Sequence, residues 1–150
     1  MCFQRLTTPA ASRYVETQQQ DKLHYWRDKG HSKAIALRLA REGANVVVTG
    51  KSVQPNPKAP ITIYSTAHEV EDAGGRALAI QLDVRDENAV AAAVRAGAEK
   101  FDGIDILVNN ASAITLTGTL TKPAKRYDLM NQINARGTFI CSQTCDLFLD

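Results

Sequence analysis

The chain has 150 residues, enough for one domain with a sizeable core, and its 44% hydrophobic and 23% charged residues are ordinary for a globular protein. Eighteen Lys and Arg stand against sixteen Asp and Glu, and a net charge of +2 does not point to nucleic acid or an anionic membrane surface as a partner. No stretch approaches the roughly 18 apolar residues of a membrane span, and Cys2, Cys141 and Cys145 form neither a secretory disulfide framework nor a metal site, since no second Cys or His pair joins Cys141 and Cys145.

Residues 1–27 show neither helical nor strand periodicity and read as an irregular or disordered segment. Arg5 and Arg13 among hydroxyls, with no acid in the first 15 residues, match a transit peptide as readily as chance. Regular alternation begins near residue 28. Lys33 to Glu42 reads as a helix with Ile35, Ala36, Leu39 and Ala40 on one face and Gly43 as its C-cap. Asn45 to Thr49 is a β-branched run suited to a strand buried on both faces. Three prolines between Gly50 and Pro60 make a loop, and Thr66 with Glu69 has the spacing of a capping box that opens a helix. Ala77 to Leu82 is the next strand. Asp86 caps a helix with Val90, Val94, Ala98 and Phe101 along one stripe, and Ile104 to Val108 is a further strand. A last helix runs from about Ala124 to the end, with Met130, Ile133, Gly137, Ile140, Cys141, Thr144 and Phe148 on its buried side.

Strands alternating with helices of ten or more residues imply right-handed parallel crossovers in a doubly wound α/β sheet. The order begins on a helix, which has no sheet face to pack on without a preceding strand. The stretch from Gln18 to Ser32 is too polar to supply one, because its buried polar groups would cost several kcal/mol (about 2–7 each). The expectation is therefore an incomplete sheet that lacks its first strand.

Ligands of open α/β sheets lie at the carboxyl ends of the strands, which directs attention to the residues that follow each strand. Gly50-Lys51-Ser52 imitates the end of a phosphate loop, but Asn45 stands where that motif needs a further glycine and the prolines forbid the helix that must follow. Lys51 lies where such folds meet the adenosine ribose; an acid there binds the 2′-hydroxyl and a base the 2′-phosphate, and no Asp or Glu occurs between Asn45 and Thr66. That leans toward NADP, although a surface lysine in a loop is the plainer alternative. Asp83 has the equivalent position one strand away, where its carboxylate would accept from an adenine amino group or simply lead the next helix. Asn109-Asn110-Ala111-Ser112 follows the third of these strands; its small residues let backbone approach a ligand, and they equally suit a turn. Asn134 sits within a helix among apolar neighbours, an unfavourable place for asparagine without a reason.

Ile104 to Ser112, Asp83-Val84, and Asn134 with Gly137 together resemble the short-chain dehydrogenase/reductase family, over about 120 residues from Lys33 onward. The resemblance implies a Rossmann-type doubly wound parallel sheet in which residues 28–150 are a partial dinucleotide-binding domain without the first strand and the C-terminal half. It implies an NADP-dependent oxidoreductase that interconverts a carbonyl and an alcohol of a small molecule. Asp83 and Val84 would contact the adenine, Lys51 the adenosine ribose or its phosphate, and Asn110, Ala111 and Ser112 the nicotinamide side. Asn134 would hold a catalytic lysine through a water in a proton relay. A homo-oligomer through the fourth helix, and a peroxisomal or mitochondrial compartment, are implied in the same way. The family's Thr-Gly-x-x-x-Gly-x-Gly loop is matched only at Gly30: Ser32 replaces the third glycine, and Tyr25-Trp26 stand at its Thr-Gly. The family's Tyr-x-x-x-Lys would fall beyond Asp150, so a fragment inactive alone is expected, with a non-enzymatic binding or interaction module as the alternative.

Overall fold

The computed structural model describes residues 13–18, 31–55 and 60–148. Strands β1 (Arg13–Gln18), β2 (Asn45–Gly50), β3 (Arg76–Gln81) and β4 (Ile106–Val108) form one sheet in the order β3-β2-β1-β4, and every pair is parallel. Helices α1 (His31–Arg41), α2 (Ile63–Asp72) and α3 (Glu87–Phe101) connect successive strands. A 3-10 turn at Thr119–Thr121 follows β4, and then helices α4 (Ala124–Asn131) and α5 (Thr138–Asp146) flank a π-helical turn at Gln132–Gly137. The Rossmann-type parallel architecture is the one the alternation of elements predicts.

One part of that expectation is corrected. The slot between β2 and β4 is not empty: Arg13–Gln18 fills it, with Val15 opposite Val47 on one side and Leu107 on the other. The strand therefore lies within the 1–27 segment expected to be irregular, just upstream of the polar stretch. Its three strand formers, Tyr14, Val15 and Thr17, are interrupted by Glu16 and flanked by Arg13 and Gln18, so the segment presents neither a continuous apolar run nor a clean alternation. What a parallel ladder demands is a backbone of matching length to satisfy the amides and carbonyls of β2 and β4.

The core is built on β2, whose Val46, Val47 and Val48 are all buried, as a two-faced parallel strand requires. Helix α1 packs on β1, β2 and α2, whereas α3 packs on β2 and α5. Ile63, Val70, Val90, Val94, Ile104 and Ile133 complete the interior. Gly43 ends α1 with φ of 83°, the left-handed conformation expected of a C-cap glycine. Asp86 caps α3 through its side chain, accepting from the Ala89 amide at 3.0 Å.

Helix α2 starts earlier than the Thr66–Glu69 spacing suggests. Thr62 is its N-cap: the Ser65 amide donates to Thr62 Oγ1 at 3.1 Å, and the Thr62 amide donates to Ser65 Oγ at 3.0 Å. A serine hydroxyl thus does the work that glutamate or glutamine does in the commoner form of the box. Glu69 instead pairs with Lys33 of α1 at 2.6 Å. The last long helix is interrupted around Asn134, the residue that sat awkwardly in it, with Ile133, Ile140, Cys141 and Cys145 buried along it. Both thiols are free, and burial pushes Cys141 up to about 11 and Cys145 higher still, so they act as small apolar groups rather than nucleophiles.

Candidate functional site

Parallel register brings the residues after each strand to one edge of the sheet. Gly50 lies opposite Gln81, and the Leu82 amide donates to the Gly50 carbonyl at 2.9 Å, so Lys51 and Asp83 emerge side by side. Lys51 Nζ reaches Asp83 Oδ2 at 3.0 Å. Arg85 holds the same carboxylate more fully: its amide and Nε donate to Oδ1 at 3.1 and 2.9 Å, and its Nη2 donates to Oδ2. A carboxylate offers about four lone-pair sites, and these donors fill them. The Arg85 bonds hold the Asp83 carboxyl far below the usual carboxylate range, against the opposing effect of desolvation, and Lys51 adds to them.

Val84, next in the chain, is buried against Gly137: a Cβ on Gly137 would lie 2.8 Å from Val84 Cγ2. The π turn is also tied to this corner by Arg136, which donates to the Arg85 carbonyl at 3.0 Å and pairs with Glu87.

Beyond β4 the chain is held by neutral groups. Asn134 Nδ2 donates to the Ala113 carbonyl at 2.9 Å, and the Ala113 amide donates to Asn134 Oδ1 at 2.8 Å. One side-chain amide thereby satisfies both backbone groups of a residue that is 5% exposed. Asn110 Nδ2 donates to Ser32 Oγ in the first turn of α1, and Asn109 Nδ2 to Ser142 Oγ of α5 at 3.0 Å. Ala111 is half-buried and Ser112 exposed. The Asn134 carbonyl accepts the Thr138 hydroxyl at 2.8 Å, which uses one of its two lone pairs. A π turn that carries a polar residue facing a loop is a feature frequent at functional sites.

Of the residues singled out in the sequence, Lys51 and Asp83 meet at the ends of β2 and β3 with Val84 next in the chain, and Asn134 holds, at Ala113, the segment beyond β4 that carries Asn110, Ala111 and Ser112. Gly30 and Tyr25-Trp26 lie outside the described residues. Three participants escape a motif-based reading. Arg85 is signalled only by its spacing of two from Asp83, Ser32 looks like a lost glycine, and Arg136 has no local signature at all. Among the described residues no group of His, Cys, Asp and Glu is arranged to hold a metal, and no helix is long and apolar enough to cross a membrane.

The sequence is similar to hydroxysteroid dehydrogenase-like protein 2 of Xenopus tropicalis (55% identity over 121 residues) and of Homo sapiens (54% over 121 residues). Each alignment covers 81% of this chain and 29% of the relative, so the chain spans well under a third of those proteins. A putative dehydrogenase from Xanthomonas campestris superposes with a TM-score of 0.79 at 51% identity, covering 90% of this chain and 48% of that one. A short-chain dehydrogenase from Mycobacterium thermoresistibile does so with a TM-score of 0.78 at 47% identity, covering 90% and 46%. The short chain dehydrogenase family model matches residues 27–149, the span that carries Lys51, Asp83, the Asn109–Ser112 loop and Asn134. A parallel sheet with these residues on its carboxyl edge, and a family match over that span, make this chain a member of the short-chain dehydrogenase family.

Proposed function

We propose that this chain carries cofactor contacts of an NADP-dependent oxidoreductase that interconverts a carbonyl and an alcohol on a small molecule. The family is one of NAD(P)-dependent oxidoreductases, and what favours the phosphorylated cofactor is Lys51: the first residue beyond β2 is a cation, and no acid from Asn45 to Thr66 competes for a ribose 2′-hydroxyl. The donor set fits such a dinucleotide, with a cation beyond β2, a carboxylate beyond β3 and a small-residue loop beyond β4. Lys51 would take the ribose 2′-phosphate, Asp83 and Val84 the adenine, and Asn110, Ala111 and Ser112 the nicotinamide end. When bound, the nicotinamide supplies the hydride chemistry. Asn134 fixes the loop on which that end rests, and its backbone carbonyl is the acceptor through which it would position a water beside a catalytic lysine. Gly30 belongs to the same proposal, as part of the pyrophosphate loop. Exposed Tyr127 and Phe139 on the fourth long helix support its proposed use in a homo-oligomer, and a peroxisomal or mitochondrial compartment belongs to the same proposal on the resemblance of the sequence alone.

Thermal stabilisation of the chain by NADP+ and NAD+ at equal concentration tests the reading. NADP+ is expected to give the larger shift, and Lys51→Met to remove the difference. Equal shifts in the wild type would rule out the NADP preference.

A further inference from the structure

Lys51 is not waiting free for a phosphate, since its ammonium is already on Asp83 Oδ2 at 3.0 Å. Asp83 is not free for an adenine amino group either, because Arg85 and Lys51 between them occupy its lone pairs. Both intended contacts of the adenosine end are thus spent on each other. We infer that the cofactor's 2′-phosphate and the Asp83 carboxylate compete for Lys51, and that binding exchanges one for the other. The inference rests on the adenosine-side reading above and adds an internal competitor to it.

Three observations make the exchange feasible. The Lys51 side chain is 44% exposed and that of Asp83 is 25% exposed, so breaking their ion pair forfeits little. Asp83 is not left bare when Lys51 departs, because Arg85 still holds it through its amide, Nε and Nη2 from two residues away. Departure of Lys51 also vacates an acceptor site on Oδ2, the oxygen left for an adenine amino group. A ligand with adenine but no 2′-phosphate has nothing to draw Lys51 away and meets a saturated carboxylate. One with both groups releases the acceptor it needs. Asp83 therefore acts as an internal anion that holds Lys51 until a dianion replaces it, and Arg85 is a positioning residue that keeps the exchange cheap.

The probes that read this are adenosine 2′,5′-bisphosphate and 5′-AMP, which differ only in the 2′-phosphate and need no nicotinamide site. The quantity is the ratio of their affinities for the 150-residue chain, measured by calorimetric titration. Asp83→Asn removes the competitor and is expected to raise the preference for the bisphosphate, by up to about fivefold, the ceiling set by a solvent-exposed ion pair. Arg85→Met acts in the opposite direction: Asp83 loses its fixed partner, retains Lys51 more firmly, and the preference falls. Both effects are expected to vanish in a Lys51→Met background. An unchanged ratio in Asp83→Asn, or an effect that persists without Lys51, overturns the exchange while leaving the adenosine-side reading standing. Failure of both probes to bind the wild type overturns both.

Discussion

The two ends of the sheet's carboxyl edge are held by different kinds of interaction. Beyond β2 and β3, Lys51, Asp83 and Arg85 form a charged, partly exposed cluster with most of its contacts made between side chains. Beyond β4, the loop is held by neutral amide and hydroxyl groups, and the central contact is a pair of bonds from Asn134 to one buried backbone residue. Exposed ion pairs are weak and readily re-paired, whereas a buried amide or carbonyl without its partner is costly. The first end is built to exchange partners and the second to stay fixed. A dinucleotide site benefits from both, since its distal phosphate must be captured from water and its reactive ring must be held in one place.

The largest effect is expected at the fixed end. Asn134→Ala leaves the Ala113 amide and carbonyl unpaired at a position that is 5% exposed, and is expected to destabilise the chain by about 2–3 kcal/mol. Because the lost bonds are neutral, the deficit measured by urea unfolding should be the same at low and high salt. A loss that shrinks with salt would mean that charge, not the amide clamp, holds this loop.

Gly137 joins the two ends, and a substitution there tests whether they are mechanically linked. A Cβ at this position would lie 2.8 Å from Cγ2 and 3.2 Å from Cβ of Val84, a residue only 2% exposed with little room to yield. Gly137→Ala is expected to destabilise by about 1–2 kcal/mol, overpacking outweighing the gain in helix propensity. The displaced Val84 should also change the amide resonances of Asp83 and Arg85 in an NMR spectrum. A stabilised variant with those resonances unmoved would show the corner to be loose.

Much of this arrangement was legible in the residues, and what was not has physical causes. Valine runs, Asp86 and Gly43 announced their elements because each rests on local chemistry: β-branching, an N-cap acceptor, a left-handed cap. Asn134 was visible as a conflict between residue type and helix, and it falls within the π turn. The central strand was hidden because its ladder is made by backbone, which any sequence possesses, while Arg13, Glu16 and Gln18 obscure its strand formers. The Lys51–Asp83 pair was invisible for another reason. The partners are 32 positions apart, and only the Gly50–Gln81 register makes them neighbours. Ser32 misled most directly: as a substitute for a glycine it looked like a loss, yet it supplies the acceptor for Asn110.

The smallest expected effect belongs to the exchangeable end and is read by pH. Asp83 ionises well below an ordinary carboxyl, chiefly through its Arg85 hydrogen bonds and less through Lys51. A carboxyl whose folded value lies below its unfolded value of about 3.9 stabilises the fold fully above that pH, and the contribution is lost as pH falls toward the folded value. Asp83→Asn should therefore be less stable than wild type at pH 7, by at most about 1 kcal/mol because the cluster is partly exposed. The gap should stay constant down to about pH 5 and narrow below about pH 4. His68 does not confuse the measurement: Asp72 raises its pKa, so its contribution is complete below about 6.5 and fades as pH rises through the raised value, outside the acid window. A gap between wild type and Asp83→Asn that stays open at pH 3 would show that Asp83 acts by shape rather than charge, and the contrast between an exchangeable and a fixed end would then fail at the residue on which it most depends.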